Sequence, residues 1–132
     1  MKIKQISTPN APVPVGHYSQ AVVHNGLVYV SGRVAPDPAT GDAQTASIEA
    51  QTEQVLKNIQ AVLRAAGSYL DKVLKMTVYI TDISLWDGFN KVYARVMGEH
   101  RPARAAVPIK ELGGGLHIEI ETIAATSVEE ER

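Results

Sequence analysis

The 132-residue sequence has no cysteine, one tryptophan, one phenylalanine and no marked excess of either charge. Without cysteine there is no disulfide framework, no thiolate nucleophile and no cysteine-bound zinc. Thirteen Lys and Arg against fourteen Asp and Glu leave a formal charge of -1, which offers no broad surface for neutralising phosphates. The few aromatics leave little on which to stack bases, so nucleic acid is not an expected partner. No apolar run approaches the ~20 residues of a membrane helix. Met1 to Ser7 alternates charged and apolar residues and lacks the apolar core of a signal peptide. These absences together predict a soluble, cytoplasmic protein with no membrane partner.

What is present is an ordinary globular mixture, 45% hydrophobic and 20% charged, in a chain long enough to bury a core unaided. One domain is expected over residues 1–132, with 127–132 a frayed, acidic tail. Lys2 to Ser7 alternates as a first strand. Thr8 to Gln20 carries Pro9, Pro12 and Pro14 and reads as a long loop. "AVVHNGLVYVSG" reads as a hairpin around Asn25-Gly26, both of which tolerate positive φ. Ala35 to Ala43 is turn-rich. From Ala46 to Ala66, Ile48, Val55, Ile59, Val62, Leu63 and Ala66 form one helical stripe, stopped by Gly67.

Val73 to Thr81 alternates, with Leu74, Met76, Val78 and Ile80 assigned to one face. Ser84 is the expected cap of a second helix, which Gly98 ends and whose stripe is Leu85, Phe89, Val92, Tyr93 and Val96. Ala103 to Ile109 is a strand, Gly113 to Gly115 a turn, and Leu116 to Ala125 the last strand. The order predicts an α+β fold: a mixed, mostly antiparallel sheet with two helices on one face. Ile118, Ile120, Thr122 and Ala124 should point to the helices. His117, Glu119 and Glu121, with Ile123 and Ala125, face the other way. A second face that mixes apolar and acidic groups predicts self-association.

The stretch "HRPARAAVPI", 100 to 109, holds Arg101 and Arg104 with no carboxylate inside it. From spacing alone two readings of Arg104 stand. It can receive a ligand's anion, or pair with Glu119 or Glu121 of a neighbouring copy. His117, Glu119 and Glu121 alternate along one strand, but neighbours of this kind rarely converge on one ion, so no metal is expected.

Four stretches in order, "GHYSQA" (16–21), "VYVSGRVAPDPATGD" (28–42), "FNKVYARVM" (89–97) and "RPARAAV…LHIEIETIA", make the chain resemble the RidA (YjgF) family across roughly Lys2 to Thr126. The resemblance implies a chorismate-mutase-like domain and a homotrimer with sites between subunits. It implies hydrolytic deamination of reactive enamines and imines, such as 2-aminoacrylate and other 2-imino acids, to 2-keto acids and ammonia, without a cofactor. By the same resemblance, Arg104 grips the substrate carboxylate, Glu119 holds the attacking water and Tyr18 closes over the ligand. Ser31, Gly32 and Ala106 line the pocket, and Asn90 supports it from the second helix.

The chain departs from the family pattern at His17, where proline is frequent, at Arg33, where glutamine is frequent, and at Ala106, where cysteine is familiar. Val96 and Met97 replace phenylalanines. These differences keep other readings open: a pathway-specific deaminase of a ring-cleavage or pyrimidine-breakdown intermediate, or a ligand-binding, chaperone-like or translation-inhibiting trimer without this catalysis.

Overall fold

The computed structural model describes residues 2–33 and 47–127. Its strands are Lys4–Ile6 (β1), Ala21–His24 (β2), Leu27–Arg33 (β3), Val73–Ile80 (β4), Ala103–Pro108 (β5) and Ile118–Ala125 (β6), and its α-helices are Ile48–Ala65 (α1) and Trp86–Met97 (α2). The turn-rich stretch expected at Ala35 to Ala43 and the tail beyond Ser127 lie outside the described residues.

The hairpin forms where the sequence puts it. Asn25 and Gly26 adopt φ of 52° and 75°, the left-handed pair that matches the twist of the flanking strands. The sheet runs β1-β2-β3-β6-β4-β5. Among the described residues only β4 and β5 pair parallel, while the other neighbours are antiparallel. A parallel pair cannot be closed by a tight turn, and α2 supplies the crossover. Both helices lie over one face, α1 against β3 and β6 and α2 against α1.

The expected stripe of α1 is the core. Val55, Ile59, Val62 and Leu63 are fully buried against Val28, Met76, Val78, Ile118 and Ile120. Ser47 caps α1 by accepting a hydrogen bond from the Ala50 amide at 3.0 Å, and Gly67, at φ 75°, lies just past its end. Gly88 sits inside α2 despite the helical cost of glycine. A Cβ there would lie 2.7 Å from Ile48 Cγ2, so the missing side chain is what lets the helices approach.

Two expectations fail locally. Leu74 does not join the core face. The register of β4 on β6 slips between Val73 and Lys75, so Val73 is buried while Leu74 is about half exposed. A bulge re-aims side chains in this way, and alternation alone does not reveal it. Ser84 is not the cap of the second helix. Asp82 accepts the Ser84 amide at 2.9 Å and starts a single 3-10 turn, Ile83–Leu85, that feeds α2. These hydrogen bonds from Ser84 hold the Asp82 carboxyl below its ordinary value.

Two buried glutamines do what the apolar pattern cannot. Gln20 ties down the proline-rich loop. Its side-chain oxygen accepts from the Thr8 amide at 2.7 Å, and its nitrogen donates to the carbonyls of Thr8, Ala11 and Pro12. Gln51 accepts from the His117 amide at 2.8 Å and donates to the Gly115 carbonyl at 3.1 Å. It thereby fixes a turn in which Gly113, Gly114 and Gly115 all take positive φ, a backbone that other residues would strain.

Gly88→Ala is expected to destabilise the fold by about 1–3 kcal/mol through overpacking at Ile48. Urea unfolding with an unchanged slope and a lowered midpoint would show this; an unchanged midpoint would contradict the close helix contact. Gln20→Leu should leave the sheet intact but release the amide of Thr8. Hydrogen exchange at Thr8 is then expected to rise well above wild type while exchange in β4 and β6 holds.

Candidate functional site

A second irregularity shapes the site. Val30 pairs with Thr122 and Arg33 with Ile120, so β3 spends one residue more than β6 over the same length. The extra residue falls at Ser31–Gly32, opposite Glu121. Bulges of this kind turn a strand and re-aim its side chains. A Cβ on Gly32 would lie 2.9 Å from Glu119 Cδ, so the glycine makes room for the Glu119 carboxyl. The Ser31 amide donates to the Gln20 carbonyl at 3.0 Å, and Ser31 Oγ donates to the Ser19 carbonyl at 2.6 Å. These bonds seat the end of the proline-rich loop on the bulge. Tyr18, next in the chain, is 47% exposed, its amide donating to the Gly16 carbonyl at 3.0 Å. Tyr18, Ser31, Gly32 and Glu119 therefore belong to one neighbourhood.

Arg104 belongs to another. On β5 it pairs with Met76, a fully buried residue of the helix-covered face. Residues opposite each other across a ladder share a face, so Arg104 projects toward α2. There Nη1 donates to Asn90 Oδ1 at 2.9 Å. The guanidinium carbon lies 4.9 Å from the Trp86 ring centroid and 4.8 Å from that of Tyr93. Arg104 is exposed and makes no ion pair among the described residues. Ala106, opposite Val78, lies on the same side of this edge strand. Arg101 is exposed nearby and shares none of these contacts.

The two neighbourhoods do not meet within one chain. Glu119 pairs with Tyr79 and Arg104 with Met76. Tyr79 and Met76 are three apart on β4, hence on opposite faces, and β4 stands between β6 and β5. Glu119 looks out from the face the helices leave open.

That open face carries Tyr29, Ile123, Lys75 and Ala103 in one row across the sheet, with Glu121, Thr77 and Ala105 in the next. Tyr29, Lys75, Thr77, Glu121 and Ile123 also surround a depression of about 240 Å³. The Tyr79 hydroxyl donates to Glu121 at 2.8 Å, and this bond holds the phenol above its usual pKa. Glu121 is thus committed to a neighbour. His117 is bound through Nδ1 to Thr81 Oγ1 at 2.7 Å. Among the described residues no group of three His, Asp or Glu is placed to hold a metal.

Trp86, Tyr93, Gln20 and Gln51 are parts that sequence reasoning missed. Trp86, Asn90 and Tyr93 fall at i, i+4 and i+7, one face of a helix, a spacing that could have grouped them. Neither glutamine has such a signal, since each acts on backbone that is distant in sequence.

Comparisons with known proteins bear on the family and the fold. The family model described as Endoribonuclease L-PSP matches residues 8–126. A RutC family protein of Pyrococcus horikoshii is 45% identical over 119 residues, covering 90% of this chain and 94% of its own. The 2-iminobutanoate/2-iminopropanoate deaminase of Rattus norvegicus is 40% identical over 121 residues, 92% of this chain and 88% of its own. The crystal structure of E. coli TdcF with bound serine superposes with a TM-score of 0.89 at 35% identity, covering 94% of this chain and 99% of that one. With the family match spanning both site neighbourhoods and the sheet between them, the chain belongs to the RidA (YjgF) family.

Proposed function

We propose that the protein hydrolyses 2-imino acids, and the enamines that tautomerise to them, to 2-keto acids and ammonia, at a site completed by a second copy of the chain. The observation that carries this reading is the state of Arg104. Its guanidinium is held by a neutral amide and two aromatic rings, so its charge is left for an incoming anion. A planar guanidinium binds a carboxylate through two parallel donors, and a 2-imino acid presents that carboxylate beside its reactive carbon. Support also comes from the relative named a 2-iminobutanoate/2-iminopropanoate deaminase and from the serine-bound relative, since serine is itself an α-carboxylate.

The chemistry has three tasks. Arg104 anchors the carboxylate, with Asn90 holding the far side of the guanidinium and Ala106 beside it. Glu119 accepts a hydrogen bond from water and takes its proton as the oxygen bonds to C2 of the C=N group. The same proton then goes to nitrogen, giving a carbinolamine. Glu119 next takes the hydroxyl proton and passes it to the amino nitrogen as the C=O bond forms and the C–N bond breaks, so that ammonia leaves a 2-keto acid. Tyr18 and Ser31 border this second half, where they close over the ligand and exclude solvent. The imine is already activated, so positioning supplies much of the acceleration. No cofactor enters these steps.

Strand geometry is the reason for invoking a second copy. Arg104 and Glu119 diverge within one protomer, so a site containing both takes Arg104 from one chain and Glu119 from another. The open face, with Tyr29, Ile123 and Ala105 beside Lys75 and Glu121, is the surface we assign to this contact, in a closed homotrimer. A phosphodiester substrate fits less well, because Glu119 and Glu121 lie on the same face as Lys75.

The assay is direct. An amino-acid oxidase generates the 2-imino acid, semicarbazide traps it, and the trapped signal falls as the protein competes. Arg104→Ala is expected to cost about 3 kcal/mol of transition-state binding, and Arg104→Lys should rescue little. Unchanged turnover in Arg104→Ala would refute the anchor. Arg104→Ala and Glu119→Gln, each inactive alone, should regain about a quarter of wild-type activity when unfolded and refolded together, because mixed trimers then contain intact sites. No recovery on mixing, with mixed trimers shown by mass spectrometry, would place both groups in one chain.

A further inference from the structure

Arg104 is held in an unusual way for a ligand-binding arginine. A carboxylate neighbour can hold such a side chain, with its several rotatable bonds, in one orientation; here none is found among the described residues. The guanidinium instead lies over one face of α2. Trp86 and Tyr93 are seven residues apart, two helical turns, or about 10.5 Å of rise. The guanidinium carbon is 4.9 Å from one ring and 4.8 Å from the other, so it sits between them, above Asn90. The rings are themselves fixed. Tyr93 is 7% exposed, Trp86 packs against the core, and Phe89 bridges them with centroid separations of 5.0 and 5.4 Å.

We propose that Trp86 and Tyr93 are positioning residues that clamp the Arg104 guanidinium in its ligand-ready orientation before any carboxylate arrives. An aromatic face attracts the cation through its quadrupole, yet cannot take up the guanidinium's N–H donors as a carboxylate would. Asn90 takes one N–H. The remaining donors stay available to the ligand. A carboxylate in place of either ring would hold the arginine equally still and occupy the fork. Rings restrain the residue without consuming its valence, which lowers the ordering cost paid on binding. The Tyr93 hydroxyl is buried with no hydrogen-bond partner among the described residues, and it is the Tyr93 ring face that lies against the guanidinium.

This inference rests on Arg104 being the carboxylate anchor, and its test separates the two claims. In the ligand-free wild type, the order parameter of the Arg104 Nε–H group should be near that of rigid backbone, about 0.85, and in Trp86→Leu it should fall below about 0.6. A mobile Arg104 in wild type, or an equally rigid one in Trp86→Leu, overturns the clamp whatever the activity.

Calorimetric titration with 2-oxobutanoate supplies the second arm. Trp86→Leu should bind about fivefold more weakly, with KM rising and kcat changed much less. Trp86→Phe and Tyr93→Phe, which keep a ring, should bind within about twofold of wild type. If wild type binds no 2-keto acid, the anchor assignment fails while the mobility result still judges the clamp. If wild type binds and Trp86→Leu, shown folded by its spectrum, binds equally well, the clamp fails and the anchor stands.

Discussion

Strand alternation across β4 is the constraint from which the functional reading descends. A strand presents neighbouring residues to opposite faces, and a ladder transmits that choice to the strands beside it. Met76 faces the helices and passes this orientation to Arg104; Tyr79 faces away and passes the opposite one to Glu119. No rotamer change reverses it. A cation and an acid that the proposed reaction uses together are thus held apart by the same rule that builds the core. On that proposal, assembly is part of the chemistry and not an addition to it.

The bulges show how a regular sheet is adapted to this end. At Val73–Lys75 the slip turns Leu74 outward. At Ser31–Gly32 the extra residue brings a glycine against the Glu119 carboxyl and offers backbone groups to the end of the proline-rich loop. The second bulge gathers loop, strand end and acid in one place, and the glycine within it is required by space.

Much of the fold was legible in the residues. Asn25-Gly26 announced the hairpin, the α1 stripe announced the core, and Ile118, Ile120, Thr122 and Ala124 announced the buried face of β6. Each rests on local period or local turn chemistry, which a sequence states openly. Leu74 and Ser84 were misread because a register slip and a one-turn 3-10 lead-in depend on partners, not on spacing. In the site, the absence of an internal acid near Arg104 was visible from "HRPARAAVPI", while the roles proposed for Tyr18, Ser31, Gly32, Glu119, Asn90 and Ala106 came from family likeness. The opposed faces of Arg104 and Glu119 were hidden, because they follow from pairings between strands remote in the chain. The placing of Trp86 and Tyr93 around Arg104 was hidden for the same reason.

The anchoring of the two critical loops by amides has a further consequence. Gln20 holds the loop that bears Tyr18, and Gln51 holds the glycine turn that leads into β6. An amide side chain neither gains nor loses a proton in ordinary solution, so both attachments are indifferent to acidity. The proposed reaction, which releases a base, would leave these two fastenings unchanged.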